Sequence, residues 1–127
     1  MPKQLLINLP VANPDASKAF YASLALPLNE KLSDEKATCF NLDENIIVAL
    51  LPASHFKETI YGNEVAAPNT SEMQLAIGLD SKQAVNDLLD KAVAAGGHEV
   101  QERVDLPEIY AGTFQDLDGH LWNVFCM

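Results

Sequence analysis

The alternation of apolar and polar residues in the first half of the chain predicts a strand, a helix and two further strands. A nearly continuous apolar run over 4–12 is typical of a mostly buried strand. Asn13 and Pro14 follow it, and because Asn caps helix starts and Pro suits the first helical position, a helix is predicted over 15–24. The strands predicted after this helix are 35–42 and 45–51, joined by a tight turn at Asp43-Glu44.

The second half of the chain repeats this order of elements. A strand over 72–80 precedes a helix over 81–95, which Asp80 or Ser81 caps and Gly96-Gly97 ends. The apolar face of this helix recurs at helical spacing, through Val85, Leu88, Leu89, Ala92 and Val93. Three more strands are predicted over 98–104, 109–116 and 120–127.

The repeated order predicts an α+β protein built from two tandem βαβββ modules within a single domain, 1–127. Module 1 spans about 1–52 and module 2 about 72–127, with a connection over 53–71. Each sheet has one face for its helix, and pairing of the other faces would form a cup-shaped mixed sheet. Connections of this length are uncommon in compact domains, so we expect this one to be a binding lid, a partner contact or a mobile segment.

Charge and composition restrict the classes of partner. The formal net charge of -10 would repel a phosphate backbone, so neither nucleic acid nor an anionic membrane is an expected partner. No apolar stretch reaches the length of a membrane span, and we expect no signal peptide because the first 25 residues lack a basic start followed by an apolar run. The two cysteines, Cys39 and Cys126, are far apart and are expected to be free thiols in a reducing cytoplasm.

Three stretches of the sequence resemble one known superfamily. They are INLPVANPDASKAFYASLAL, AAGGHEV and YAGTFQDLDGHLWNVF. Together they resemble the glyoxalase / bleomycin-resistance / extradiol-dioxygenase superfamily, also called vicinal oxygen chelate proteins, and in particular its small bacterial lactoylglutathione-lyase-like members. The resemblance covers essentially the whole chain. It implies the glyoxalase-like fold and a homodimer, and it raises lyase or dioxygenase chemistry as one possible activity.

The segment Asp116-Leu117-Asp118-Gly119-His120 has the residue types of a metal site but the pattern of a turn. Asp-Gly is a strong turn dipeptide, and in the resembling families this segment is the hairpin before the last strand. An EF-hand calcium loop would need a longer run of oxygen ligands and a closing Glu. We therefore expect Asp116, Asp118 and His120 to have a structural role.

The resemblance also implies where a metal would bind. Asn8, Gln74 and Asn123 occupy three of the positions that carry ligands in metal-using members. The fourth falls around Ala49 and Leu50, where there is no ligand-type side chain. Neutral amides are weak ligands for zinc, nickel or iron, so we expect no metal cofactor, although a divalent ion is not excluded. The three amides would instead orient a small ligand in an apolar cup, or pair with each other and with the backbone.

Other candidates are weaker. His55, Glu58 and Tyr110 are the candidate acid–base residues, although His55 and Glu58 also fit solvated positions of the connection. Tyr110 and Phe114 share a strand face and would either line the cup as ligand-binding residues or pack in the core. His98 is expected to be an exposed residue at a strand start.

Two classes of function follow. The first is a metal-free module that binds a small molecule, and the second is a metal-dependent lyase or dioxygenase. Substitution of the ligand positions favours the first. In either case the expected protein is cytoplasmic and homodimeric, and a homodimer whose cup is closed by packing remains a third interpretation.

Overall fold

The computed structural model describes residues 1–67 and 70–127 of the chain. These residues form three helices and two mixed β-sheets, which confirms the predicted α+β fold class. The chain divides into two compact units, Met1–Val65 and Ala66–Met127, and the boundary falls inside the predicted connection. Among the helices of the described residues, none has the length and apolar character needed to cross a membrane.

The first unit is a three-stranded sheet with two helices. Its elements are β1 (Leu5–Val11), α1 (Pro14–Ser23), β2 (Thr38–Asp43), β3 (Ile46–Pro52) and α2 (Ala53–Thr59). The strand order is β1-β3-β2, with β1 parallel and β2 antiparallel to β3. The first and last strands of the unit are therefore neighbours, as a strand–helix–strand crossover requires.

Helix α1 begins as its sequence predicts. The side chain of Asn13 accepts a hydrogen bond from the backbone N–H of Ala16 at 3.1 Å, and Pro14 is the first helical residue. Phe20 and Tyr21 are buried on one face of the helix, and the ring of Tyr21 lies 6.1 Å from that of Phe40 in β2. The Asn13 cap thus fixes where the helix begins, and apolar packing against the sheet stabilises it.

Two details of the first unit differ from the prediction. In place of a third strand after α1, the described residues show an isolated bridge between Leu28 and Phe40. The predicted connection contains α2, whose N-cap residue, Pro52, makes no side-chain capping bond. Phe56 of α2 packs against a buried cluster of Cys39, Ile47, Ala49 and Leu51. Because this helix depends on tertiary packing and lacks a cap, its local sequence carried no start signal.

The second unit is a five-stranded sheet covered on one face by a helix. Its elements are β4 (Leu75–Gly78), α3 (Lys82–Ala94), β5 (His98–Glu99), β6 (Val104–Leu106), β7 (Ile109–Gln115) and β8 (Leu121–Cys126). The order is β4-β8-β7-β5, and β6 also pairs with β7. Strand β4 is parallel to β8, while β5, β6 and β8 run antiparallel to β7.

Helix α3 confirms the predicted cap and stop. The Ser81 hydroxyl accepts from the N–H of Ala84 at 3.1 Å, and Gly96 ends the helix with a positive φ of 103°. Val85, Leu89 and Ala92 are buried, and a Cβ on Gly112 of β7 would lie only 2.4 Å from Leu89 Cδ1. The close approach of α3 to the sheet therefore requires glycine at position 112.

The predicted strand 98–104 is split into β5 and β6. Val100 still donates its N–H to the Thr113 carbonyl at 3.0 Å, but Val104 pairs with Ala111, so residues 101–103 bulge opposite Gly112. The bulge directs Arg103 toward α3. There its guanidinium donates to Glu99, Asn86 and Asp90 at 2.7–3.1 Å. These hydrogen bonds to Glu99 and then to Asp90 raise the pKa of Arg103 above its ordinary value, so the bulge is fixed by a permanent cation.

Candidate functional site

The segment Asp116–His120 is a hairpin turn organised by one carboxylate. Asp116 Oδ1 accepts the backbone N–H groups of Asp118 at 3.0 Å and His120 at 2.9 Å, and its Oδ2 lies 2.7 Å from His120 Nδ1. The N–H of Asp116 donates to the His120 carbonyl, and Gly119 takes a positive φ of 89°. This is a three-residue loop closed by a left-handed glycine, the geometry that such hairpins prefer.

The same three side chains, Asp116, Asp118 and His120, could also hold a metal ion, since their ligand atoms lie within 4.8 Å of one another. However, both oxygens of Asp116 already accept hydrogen bonds within the turn, and its side chain is only 1% exposed. The geometry of the cluster is therefore accounted for by the turn, which agrees with the structural role expected from the sequence.

Tyr110 and Phe114 lie on the face of the sheet that packs against α3, so the expectation that they line the open face is corrected. Tyr110 donates its hydroxyl to Asn86 Oδ1 of α3 at 2.7 Å. Phe114 is buried and stacks on Trp122 with ring centroids 6.2 Å apart. Core packing, the alternative left open for these two aromatic residues, is what the structure shows.

The opposite face of this sheet, which we call the α3-distal face, is defined by the strand register. Residues that pair across strands share a face, and Thr113 of β7 pairs with Asn123 of β8, which pairs with Ala76 of β4. The neighbouring rows place further residues on this face, namely Gly78, His98, Val100, Val104, Ala111, Gln115, Leu121 and Phe125. Most are apolar or small.

Asn123 is the polar centre of the α3-distal face. Its Nδ2 group donates to the carbonyl of Gly112 at 3.3 Å and to the hydroxyl of Thr113 at 3.2 Å. A carbonyl can only accept, so the nitrogen rather than the oxygen of the amide must face Gly112. Sequence reasoning identified Asn123 but missed Thr113, because finding it requires the β7–β8 register.

The ring of Phe125 lies over Gly78 on this face. A Cβ placed on Gly78 would be 3.1 Å from the tip of that ring, so glycine leaves space for the aromatic side chain. Ala76 is exposed, and Asn123 and Phe125 are partly buried. The face thus combines an amide, a hydroxyl and an aromatic ring among small residues.

Charge is distributed unevenly around the second unit. It carries ten acidic residues and three basic ones, Lys82, Lys91 and Arg103. Lys82 and Lys91 belong to α3, and Arg103 binds side chains of α3. Lys82 also binds Asp105 at 3.1 Å and lies over the ring of Tyr110. All three cations of this unit are therefore associated with the helix, on the side away from the α3-distal face.

The other two predicted amides are exposed. Gln74 immediately precedes β4, while Asn8 lies in β1 of the first unit and pairs with Ala49 of β3. Asn8 therefore shares a face with Ala49, on the side of the sheet where Phe56 of α2 packs. The convergence of Asn8 with Gln74 and Asn123 stays a prediction.

The two acid–base candidates of the first unit are brought together on α2. His55 Nδ1 lies 3.2 Å from Glu58 Oε2, with the carboxylate 74% exposed and the imidazole 29% exposed. The pair is one turn apart on a seven-residue helix. A carboxylate in this position orients the ring of the histidine.

Comparison with known proteins identifies the family. The model of the Glyoxalase/Bleomycin resistance protein/Dioxygenase superfamily matches residues 3–124. The chain belongs to this superfamily. This confirms the resemblance inferred from its motifs, and a search of curated proteins gave no match.

Solved structures support the superfamily fold. Hypothetical protein SA1046 from S. aureus is 26% identical, with a TM-score of 0.84 over 100% of this chain and 95% of that one. A glyoxalase-related enzyme from Fulvimarina pelagi is 19% identical, with a TM-score of 0.83 over 100% and 89%. Lactoylglutathione lyase from Agrobacterium tumefaciens is 18% identical, with a TM-score of 0.66 over 96% and 91%. The last two likenesses show the fold alone.

The residues at the superfamily's metal positions are a poor donor set for a catalytic metal. Asn8, Gln74 and Asn123 are neutral, and the amide nitrogen of Asn123 is already engaged within the sheet. Ala49, near the fourth position, has no donor atom. Cys39 pairs with Ala49 and so shares its face, but burial first, and then the charge of Asp34, raise the pKa of its thiol. A protonated thiol and neutral amides do not offset the charge of a divalent ion.

Proposed function

We propose that this superfamily member binds a small molecule on the α3-distal face of its second unit and does so without a catalytic metal. The observation that carries the proposal is the position of Asn123, a partly buried amide on a face made mostly of apolar and small side chains. A neutral hydrogen-bonding group in apolar surroundings fixes the orientation of a ligand while the surrounding surface supplies affinity.

The metal content of the protein is the first test of this proposal. Protein purified without an affinity tag should contain no stoichiometric metal, and calorimetric titration with Ni²⁺, Zn²⁺, Fe²⁺ and Mn²⁺ should show no binding tighter than about 1 mM, because neutral amides are weak ligands. One metal per chain that is lost in the Gln74→Ala variant would refute the proposal and support a metal-dependent lyase or dioxygenase.

The binding surface is tested separately by NMR. A fragment screen on ¹⁵N-labelled protein should give hits that shift the resonances of Ala76, Thr113, Asn123 and Phe125. Hits confined to α3 or to the first unit would contradict the assignment of the face. A Gln83→Leu variant, which alters an exposed amide on α3, should retain every hit.

One observation favours a second candidate function. The His55–Glu58 pair on α2 has the form of an oriented acid–base group, which an enzyme acting without a metal would need. If the protein turns over a glyoxalase or dioxygenase substrate, His55→Gln should lower turnover by about 100-fold or more. Retained turnover in that variant would exclude the pair from the chemistry.

We also propose that the protein acts as a cytoplasmic homodimer. Among the described residues, β1 and β4 each lie at one edge of their sheet, and Leu5 and Leu6 of β1 are 54% and 45% exposed. Unpaired strand edges with exposed apolar residues are commonly covered by a partner. Light scattering coupled to size exclusion should give twice the mass of the chain, and Leu6→Glu should lower it.

A further inference from the structure

We infer that the ligand of the α3-distal face is an uncharged or cationic aromatic molecule that donates a hydrogen bond to Asn123 Oδ1, and that anions are rejected. This inference rests on the proposed function, which it deepens by naming the chemical class of the ligand.

The hydrogen bonds of Asn123 determine what it can offer. Its side chain has two N–H donors and one oxygen acceptor, and Nδ2 is engaged with Gly112 O and Thr113 Oγ1. With the nitrogen held in the sheet, the carbonyl oxygen is the atom that this side chain presents to a ligand. A group that binds there must carry an N–H or O–H. A carboxylate has only acceptor atoms at neutral pH, so it would meet like partial charge at this oxygen.

The distribution of charge leads to the same conclusion. The three basic residues of the second unit are associated with α3, and Lys82 and Arg103 are paired with carboxylates there. The strands of the α3-distal face contribute no Lys or Arg among the described residues, and the unit as a whole is strongly acidic. An anion on this face would lose hydration without meeting a lysine or arginine of these strands.

The apolar part of the face favours a flat ligand. Phe125 lies over Gly78, Ala76 lies in the same row as Asn123, and Ala111 lies in the neighbouring row. Small side chains beside an aromatic ring leave a shallow surface on which a planar molecule can stack, with its donor directed at the amide.

The test compares the binding of three probes of nearly equal shape. Binding of each probe to the full chain is measured by ¹⁵N NMR. Indole has an N–H donor, 1-methylindole lacks it, and indole-3-carboxylate is an anion. We expect indole to shift the side-chain resonances of Asn123 and to bind about tenfold more tightly than 1-methylindole, because one hydrogen bond to the amide oxygen is lost. Indole-3-carboxylate should bind more weakly than indole.

Variants distinguish the hydrogen bond to Asn123 Oδ1 from nonspecific binding to the apolar surface. In Asn123→Leu the preference for indole over 1-methylindole should fall to within twofold, while Gln83→Leu should keep the full preference. The wild-type series stands by itself if Asn123→Leu does not fold. Equal binding of indole and 1-methylindole, no binding of indole, or preference for the carboxylate would each overturn the inference.

The proposed function fails on different results. It is refuted by a stoichiometric metal or by fragment hits that avoid the α3-distal face, and neither result depends on the probe series. If fragments bind on this face but the donor-bearing indole is not preferred, the proposed function stands and the ligand class is wrong.

Discussion

Replacement of Asp116 by Ala should destabilise the protein more than removal of any exposed carboxylate of the second unit. The side chain of Asp116 is 1% exposed and accepts hydrogen bonds from two backbone N–H groups and from the His120 ring. In the Ala variant these donors lose their acceptor while the turn remains folded around them.

The magnitude follows from the number of hydrogen bonds lost. A hydrogen bond to a charged group contributes about 1.5–3 kcal/mol, and three such bonds set an upper limit that water reduces, since Asp118 and His120 are only partly buried. We expect a loss of about 3 kcal/mol from the free energy of unfolding, a large share of the 5–15 kcal/mol that is usual for a domain of roughly this size. Asp116→Asn keeps an amide oxygen for the two backbone groups and should lose about half as much.

Urea denaturation followed by tryptophan fluorescence is a direct assay for this change. Trp122 is the single tryptophan of the chain, is buried, and lies two residues beyond the turn. Asp105→Ala is the matched control, because it removes an equal charge from a pair that is mostly exposed on both sides and should cost at most about 1 kcal/mol. If Asp116→Ala costs no more than Asp105→Ala, the carboxylate does not organise the turn.

Three further predictions concern the core and the bulge. Gly112→Ala should cost about 1–3 kcal/mol through its clash with Leu89, and the double variant with Leu89→Ala should lose less stability in urea than the two single losses added together. Arg103→Lys should lower the free energy of unfolding by about 1–2 kcal/mol, because an ammonium group cannot bind Glu99 and the α3 side chains together. A Lys variant as stable as the wild type would contradict this account. Burial raises the pKa of the Cys39 thiol in the folded protein, so this thiol ionises at a lower pH in the unfolded chain than in the folded one. The free energy of unfolding should therefore fall as the pH rises through 9.0. Denaturation curves of Cys39→Ala should show a smaller decline over that range, and an unchanged decline would count against a buried thiol.

Which residues lie on the α3-distal face depends on the register of the final hairpin, and the sequence did not determine that register. Alternation along β8 placed Asn123 and Trp122 on opposite faces, as the structure shows. A two-residue turn at Asp118-Gly119 would have paired Asn123 with Phe114. The actual loop closes between Asp116 and His120, which pairs Asn123 with Thr113 instead. A shift of one residue moves every side chain of a strand to the other face, so the sequence left both lining of the cup and core packing open for Tyr110 and Phe114.

Local signals predicted the elements that local interactions determine. Asn13 and Ser81 cap their helices through their own side chains, so both helices could be predicted from the sequence. Helix α2 has no such cap, and its Phe56 packs against a cluster formed by β2 and the preceding strand β3. The split of β5 from β6 depends on Arg103 reaching α3, a long-range contact that strand periodicity does not reveal.

Each unit pairs its first strand in parallel with its last: Leu5 aligns with Ile46 in one, and Leu75 with Trp122 in the other. The pairing of β1 with β3 and of β4 with β8 thus cannot form until the intervening helix and strands have been synthesised. Closing such a long loop has an entropic cost that precedes any stabilising contact. During synthesis on the ribosome, β1 and β4 therefore keep their apolar faces and backbone edges exposed until β3 and β8 have been made. Because this arrangement occurs in both units, we predict that substitutions in β1 and β4 affect the folding of nascent chains as well as native stability.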